Sequence, residues 1–126
     1  MAAVFFVMGG MAMIWSAVRS QVVYRSIVDS FPPQFQDDYT SRYAFSVYAL
    51  APSTPLPLQA EYMKALWAGC ACMLCVALGC FALPNVVWGC FILAGFFWAV
   101  FSTFKSWKTY RENCNRAVSQ NDEEQS

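Results

Sequence analysis

ALWAGCACMLCVALGCFALPNVVWGCFILAGFFWAVFSTF, residues 65 to 104, is the stretch that decides the fold. Its forty positions contain no Asp, Glu, Lys or Arg. Near the middle stand Pro84 and Asn85. Proline lacks an amide donor and disfavours helical geometry at the residue before it, while asparagine tolerates turn conformations. Nineteen uncharged residues lie on either side, 65–83 and 86–104. As helices rising about 1.5 Å per residue, each is roughly 28 Å long, close to the roughly 30 Å hydrocarbon core of a bilayer. The stretch predicts a transmembrane hairpin that turns at Pro84 and Asn85.

A second uncharged run, Met1 to Val18, opens the chain. Its length is at the short end of what crosses a membrane. A signal peptide would carry a basic residue before the apolar core and a small-residue cleavage site after it. Here the first basic residue, Arg19, follows the run. The expectation is a retained first span at about 2–18. The chain is then an all-α membrane protein with three transmembrane helices, about 2–18, 65–83 and 86–104.

Charge supports that count. The eight basic residues are Arg19, Arg25, Arg42, Lys64, Lys105, Lys108, Arg111 and Arg116. With these spans all eight fall on one side, as do all eight acidic residues. Basic residues near span ends stay cytoplasmic. The expected topology has the N-terminus and the Pro84–Asn85 turn outside, with residues 19–64 and the C-terminus inside. Trp15, Tyr24, Tyr62, Trp67, Trp107 and Tyr110 cluster near the inner interface, where amphipathic rings anchor. Small size and compactness suggest a bacterial inner (plasma) membrane.

Four segments follow. Residues 1–25 hold the first span and its cytoplasmic extension. Residues 26–63 form a cytoplasmic segment. Residues 64–118 hold the hairpin and a helical extension beyond Phe104. Residues 119–126 are polar and acidic, with too little apolar surface to fold, and are expected to be disordered. Within 26–63, Ser30 is a candidate N-cap for an amphipathic helix at about 32–48, with Pro32 and Pro33 in its first turn. Phe31, Phe35, Tyr39, Tyr43 and Val47 recur every four residues and make an aromatic stripe along one face. The preferred reading packs the stripe against the span ends or lays it in the headgroups; the sharper one makes Phe31, Phe35, Tyr39 and Tyr43 a partner-binding face. Pro52, Pro55 and Pro57 mark a stiff connector. The next helix starts near Pro57, with Gln59, Glu61 and Lys64 in its wet part.

Composition excludes several kinds of chemistry. Hydrophobic residues make up 58% of the 126 positions and charged ones 13%, against about 25% charged in ordinary soluble domains. Formal net charge is zero, so nucleic acid is not an expected partner. There is no His, which removes the commonest general base and metal ligand. Cys70, Cys72 and Cys75 form a CxCxxC cluster. On a helix, however, Cys70 points about 200° away from Cys72. Thiolates also need a nearby positive charge. These cysteines are therefore small apolar residues within a span, and no metal, cofactor or catalytic residue is assigned. Coupled transporters keep an ionisable residue in the membrane, and these spans have none.

Small residues spaced four apart, including Ala12 and Ser16 in the first span, Ala65 and Gly69 as well as Cys75 and Gly79 in the second, and Gly95 and Ala99 in the third, predict close helix–helix packing. The functional expectation is a non-enzymatic interaction or accessory protein. Its partners are the lipid bilayer and another membrane or cytoplasmic protein, or a second copy. The alternative is an oligomeric small pore or transporter built from the hairpin.

Overall fold

The computed structural model describes residues 1–28, 33–35 and 37–126, apart from the side chains of Phe35, Asp38, Tyr43 and Ser46. The described residues are helical, without strands. Helix α1 spans Ala2–Val28, α2 Asp38–Tyr48, α3 Leu56–Ala82 and α4 Val86–Gln125, with a three-residue 3-10 turn at Pro33–Phe35. Three helices, α1, α3 and α4, are long and apolar enough to cross a membrane, which points to an integral membrane protein.

These helices outrun their apolar cores. α1 and α3 have 27 residues each and α4 has 40, about 40, 40 and 60 Å in length. The polar residues that end an apolar run, such as Arg19 and Lys105, are good helix formers, so the backbone has no reason to stop there. α3 ends where the chemistry demands it. Leu83, which precedes Pro84, is extended at φ −93° and ψ 157°. Proline disfavours the helical region at that position. α4 resumes after Asn85, whose carbonyl accepts from the Gly89 amide.

Two expectations change at the polar end. The short helix begins at Asp38 rather than near residue 32, with Asp37 extended (φ −63°, ψ 140°) as its N-cap residue. Pro33 has no amide to donate and a fixed φ, which suits the short turn before it. Residues 29–32, including Ser30 and Phe31, lie outside the described residues. The tail expected to be disordered from residue 119 instead continues α4 as exposed helix to Gln125. No Pro or Gly interrupts it, and extending a formed helix costs far less than nucleating one.

Helix α3 is central and antiparallel to both neighbours. It packs on α1 along one flank and on α4 along the other, while α1 and α4 have no packed interface among the described residues. The α1–α3 contact is close because of two glycines. A Cβ on Gly9 would stand 3.2 Å from Val76 Cγ2 and 3.3 Å from Cys75 Cβ. One on Gly79 would meet the Phe6 ring at 3.1 Å. On the other flank Gly89 is buried beneath Phe81, with Gly95 against the tip of Met73.

The buried cluster at the polar end is small: Val23, Ile27, Ala49 and Tyr62 are buried, with Phe45, Tyr48, Leu50, Leu58 and Leu66 around them. Phe45 stands edge-on to both Tyr24 (5.6 Å, 73°) and Tyr62 (5.4 Å, 87°), tying α2 to α1 and α3. Such pairs add about 0.5–1.5 kcal/mol beyond area burial.

Gly9 and the adjacent Gly10 separate packing from helix propensity. Nothing lies within 4 Å of a Cβ on Gly10. Gly9→Leu should destabilise the detergent-solubilised protein by about 1–3 kcal/mol through overpacking. Gly10→Leu should leave thermal unfolding unchanged or raise its midpoint, because glycine is a poor helix former. Equal effects of the two would contradict the close α1–α3 approach.

Candidate functional site

The polar end of the bundle gathers the side chains with the most specific geometry. Its centre is Gln59, in the first turn of α3 and fully buried. Its amide nitrogen donates to the carbonyls of Ala51 (3.1 Å) and Thr54 (2.9 Å). Its amide oxygen accepts from Asn113 Nδ2 at 3.0 Å, and the same Asn113 nitrogen donates to the Leu50 carbonyl at 3.0 Å. Thr54 Oγ1 donates back to the Tyr48 carbonyl. Three carbonyls of the connector, those of Leu50, Ala51 and Thr54, are thereby fixed to α3 and α4 by side-chain amides. No buried side-chain nitrogen or oxygen among the described residues lacks a partner.

Beside this centre, Arg19 and Lys64 both reach Glu61. The Lys64 hydrogen bond, with Arg19 adding its charge, holds the Glu61 carboxyl below its ordinary range against partial desolvation. Arg19 also stacks 5.1 Å from the Trp15 ring centre. On α1, the Tyr24 hydroxyl is hydrogen-bonded to that of Ser41 on α2. Burial pushes the Tyr62 hydroxyl up, and a hydrogen bond to Cys114 raises that of Tyr110.

Within the apolar zone, hydroxyls turn inward. Ser16 Oγ donates to the Ala65 carbonyl at 2.8 Å, and Thr103 Oγ1 lies 3.4 Å from Cys70 Sγ. Of the packing residues expected from spacing, Ser16 and Gly69 face each other across α1 and α3, Gly79 seats Phe6, and Gly95 seats Met73. Ala99 lines a cleft between α1 and α4 with Gly69, and Ala12 is half-buried on α1. Pro84 and Asn85 are exposed at the α3–α4 connection. Of the CxCxxC cysteines, Cys70 is buried toward α4, while Cys72 and Cys75 are half-buried.

Of the aromatic stripe, the side chains of Tyr39 and Val47 are described, and neither packs into the bundle. Tyr39 is 78% exposed and Val47 70% exposed. The face of α2 that meets the bundle instead carries Ser41, Ala44, Phe45, Tyr48 and Ala49. Small residues let α2 approach, one ring fills the gap between two tyrosines, and the Ser41 hydroxyl satisfies Tyr24. Phe31, and the side chains of Phe35 and Tyr43, lie outside the described residues.

Gln59 and Asn113 were not singled out by sequence; Gln59 was expected in the wet part of its helix and is buried. The available signal was register. In an antiparallel hairpin, positions at similar distances from the turn face each other, and two amides stand at such positions. Comparison with protein-family models, curated proteins and solved structures finds no match to this chain.

Replacing one amide strands the other in a buried place. Asn113→Leu should cost about 1–3 kcal/mol, because Gln59 Oε1 and the Leu50 carbonyl lose their donor. The double variant with Gln59→Leu should cost less than the sum of the singles, with a coupling of about 0.5–3 kcal/mol in thermal unfolding. Strict additivity would contradict a shared network.

Proposed function

We propose that this chain is a non-enzymatic accessory protein of the membrane, which presents a rigid helical platform to another protein on the cytoplasmic side. The observation that carries this reading is the clamping of α2. One face is held by Ser41 and Phe45, and the connector behind it by Gln59 and Asn113. The opposite face, with Tyr39 and Val47, is left exposed. A surface held rigid before binding loses less conformational entropy on association.

In this reading α1, α3 and α4 cross the bilayer, α3 and α4 as a hairpin. The N-terminus and the Pro84–Asn85 turn are outside, and α2 and the C-terminal part of α4 are cytoplasmic. The distribution of all eight basic residues supports that orientation. Small size and compactness favour a bacterial inner membrane. The pore alternative has less support: Ser16 and Thr103 spend their hydroxyls on neighbouring helices, leaving a largely apolar lining.

The test is affinity purification from mild detergent followed by native mass spectrometry. The wild type should carry a stoichiometric protein partner. Tyr39→Ala with Val47→Asp should lower its recovery about fivefold or more, equivalent to roughly 1 kcal/mol. The thermal midpoint should move little, because both side chains are exposed. Unchanged recovery, or a wild type that purifies alone, would contradict the proposal.

A further inference from the structure

Because α1 and α4 do not pack on each other, an open cleft of about 510 Å³ lies between them over α3. Met13 and Ala17 form one wall, Ala99 and Ser102 the other, and Gly69 and Met73 the floor. The Ser16 and Thr103 hydroxyls are turned away to Ala65 and Cys70, so the surface offered is almost entirely methyl and methylene. Along α1 the cleft runs from Met13 to Ser20, about 10 Å of a leaflet whose hydrocarbon depth is about 15 Å.

At Ser20 the cleft changes character. Ser20 also borders a second cavity of about 570 Å³, formed with Gln21, Tyr24, Arg42 and Phe45. The two openings therefore adjoin, one apolar and one polar. The junction falls next to Arg19, where the apolar run of α1 ends, the depth at which basic residues meet headgroups. Arg42 is exposed and has no ion-pair partner among the described residues, whereas Arg19 is committed to Glu61.

We propose that these two cavities form one site for an anionic glycerophospholipid: one acyl chain in the Met13–Ser102 cleft, the phosphate beside Arg42. The charge of Arg42 at headgroup depth, above an apolar trough of leaflet scale, selects this occupant over a transmembrane helix. A packed helix would leave the polar cavity and its cation unfilled. Gln21 adds a hydrogen-bonding amide to the same cavity. This site lies on the bundle side of α2 and is independent of what engages Tyr39 and Val47.

The experiment is native mass spectrometry of the full chain, delipidated and then titrated with phosphatidylglycerol or phosphatidylcholine of identical acyl chains. The wild type should retain one phosphatidylglycerol per chain in preference to phosphatidylcholine by about fivefold, the factor expected for one basic residue at an anionic surface. Arg42→Gln should bring the two lipids to near parity. Ala17→Phe, at an exposed position on the cleft wall, should reduce retention of both. Circular dichroism and thermal midpoints of both variants show whether the fold is kept; Ser102→Phe repeats the steric test from the opposite wall. Equal retention of the two lipids by the wild type would overturn the proposal, as would indifference to Arg42→Gln. So would a dimer that excludes lipid and is lost in Ala17→Phe, which would assign the cleft to a second copy.

Discussion

The side-chain amide of Gln59 holds the polar end of this molecule together. It is buried completely, yet each of its polar atoms is matched: two connector carbonyls accept from its nitrogen, and its oxygen accepts from Asn113. An unmatched amide there would cost about 1–3 kcal/mol. The pattern is satisfied only when three separate pieces of chain meet: the turn at 50–54, the start of α3 and the middle of α4. The connector ends α2 just above, and α2 brings Phe45 between Tyr24 and Tyr62. One amide thus links the long helices to the short helix packed on them.

Within the apolar zone the constraint is different. Lipid tails are as apolar as leucine, so burial in water-poor surroundings does not by itself bring helices together. Close approach has to come from shape and from hydrogen bonds between helices. Gly9 beneath Val76 and Gly79 beneath Phe6 supply the shape, and Ser16 to Ala65 supplies the hydrogen bond. All three lie between α1 and α3. The α3–α4 contact uses Gly89 and the Cys70–Thr103 pair in the same way. α3 satisfies both neighbours, which leaves α1 and α4 apart and the cleft between them open.

The three apolar helices were legible because hydropathy and length are properties of single segments. Pro84 marked the end of α3 because its effect on Leu83 is local. The face by which α2 docks was not legible. Four-residue spacing finds a stripe that includes Tyr39 and Val47, but docking is decided by what the bundle end can receive. That end offers two tyrosine rings and a hydroxyl, which fit Phe45 and Ser41. Burial of Gln59 was hidden for the same reason: a polar residue near a span end is solvated by default, and only the arrival of Asn113 from 54 residues away reverses this. The helical end of the chain was missed because composition reports whether a segment can fold alone, and this one is joined to a helix already formed.

The central claim is that α2 is a fixed part of the bundle, held through Phe45, Ser41 and the Gln59–Asn113 network. Hydrogen–deuterium exchange of the protein in lipid nanodiscs tests it most directly. The claim predicts that the backbone amides of residues 42–49 exchange as slowly as those of the α3 segment around Tyr62, since both open only when the same core opens. Exchange at 42–49 near the rate of an unstructured peptide, with α3 still protected, would contradict it.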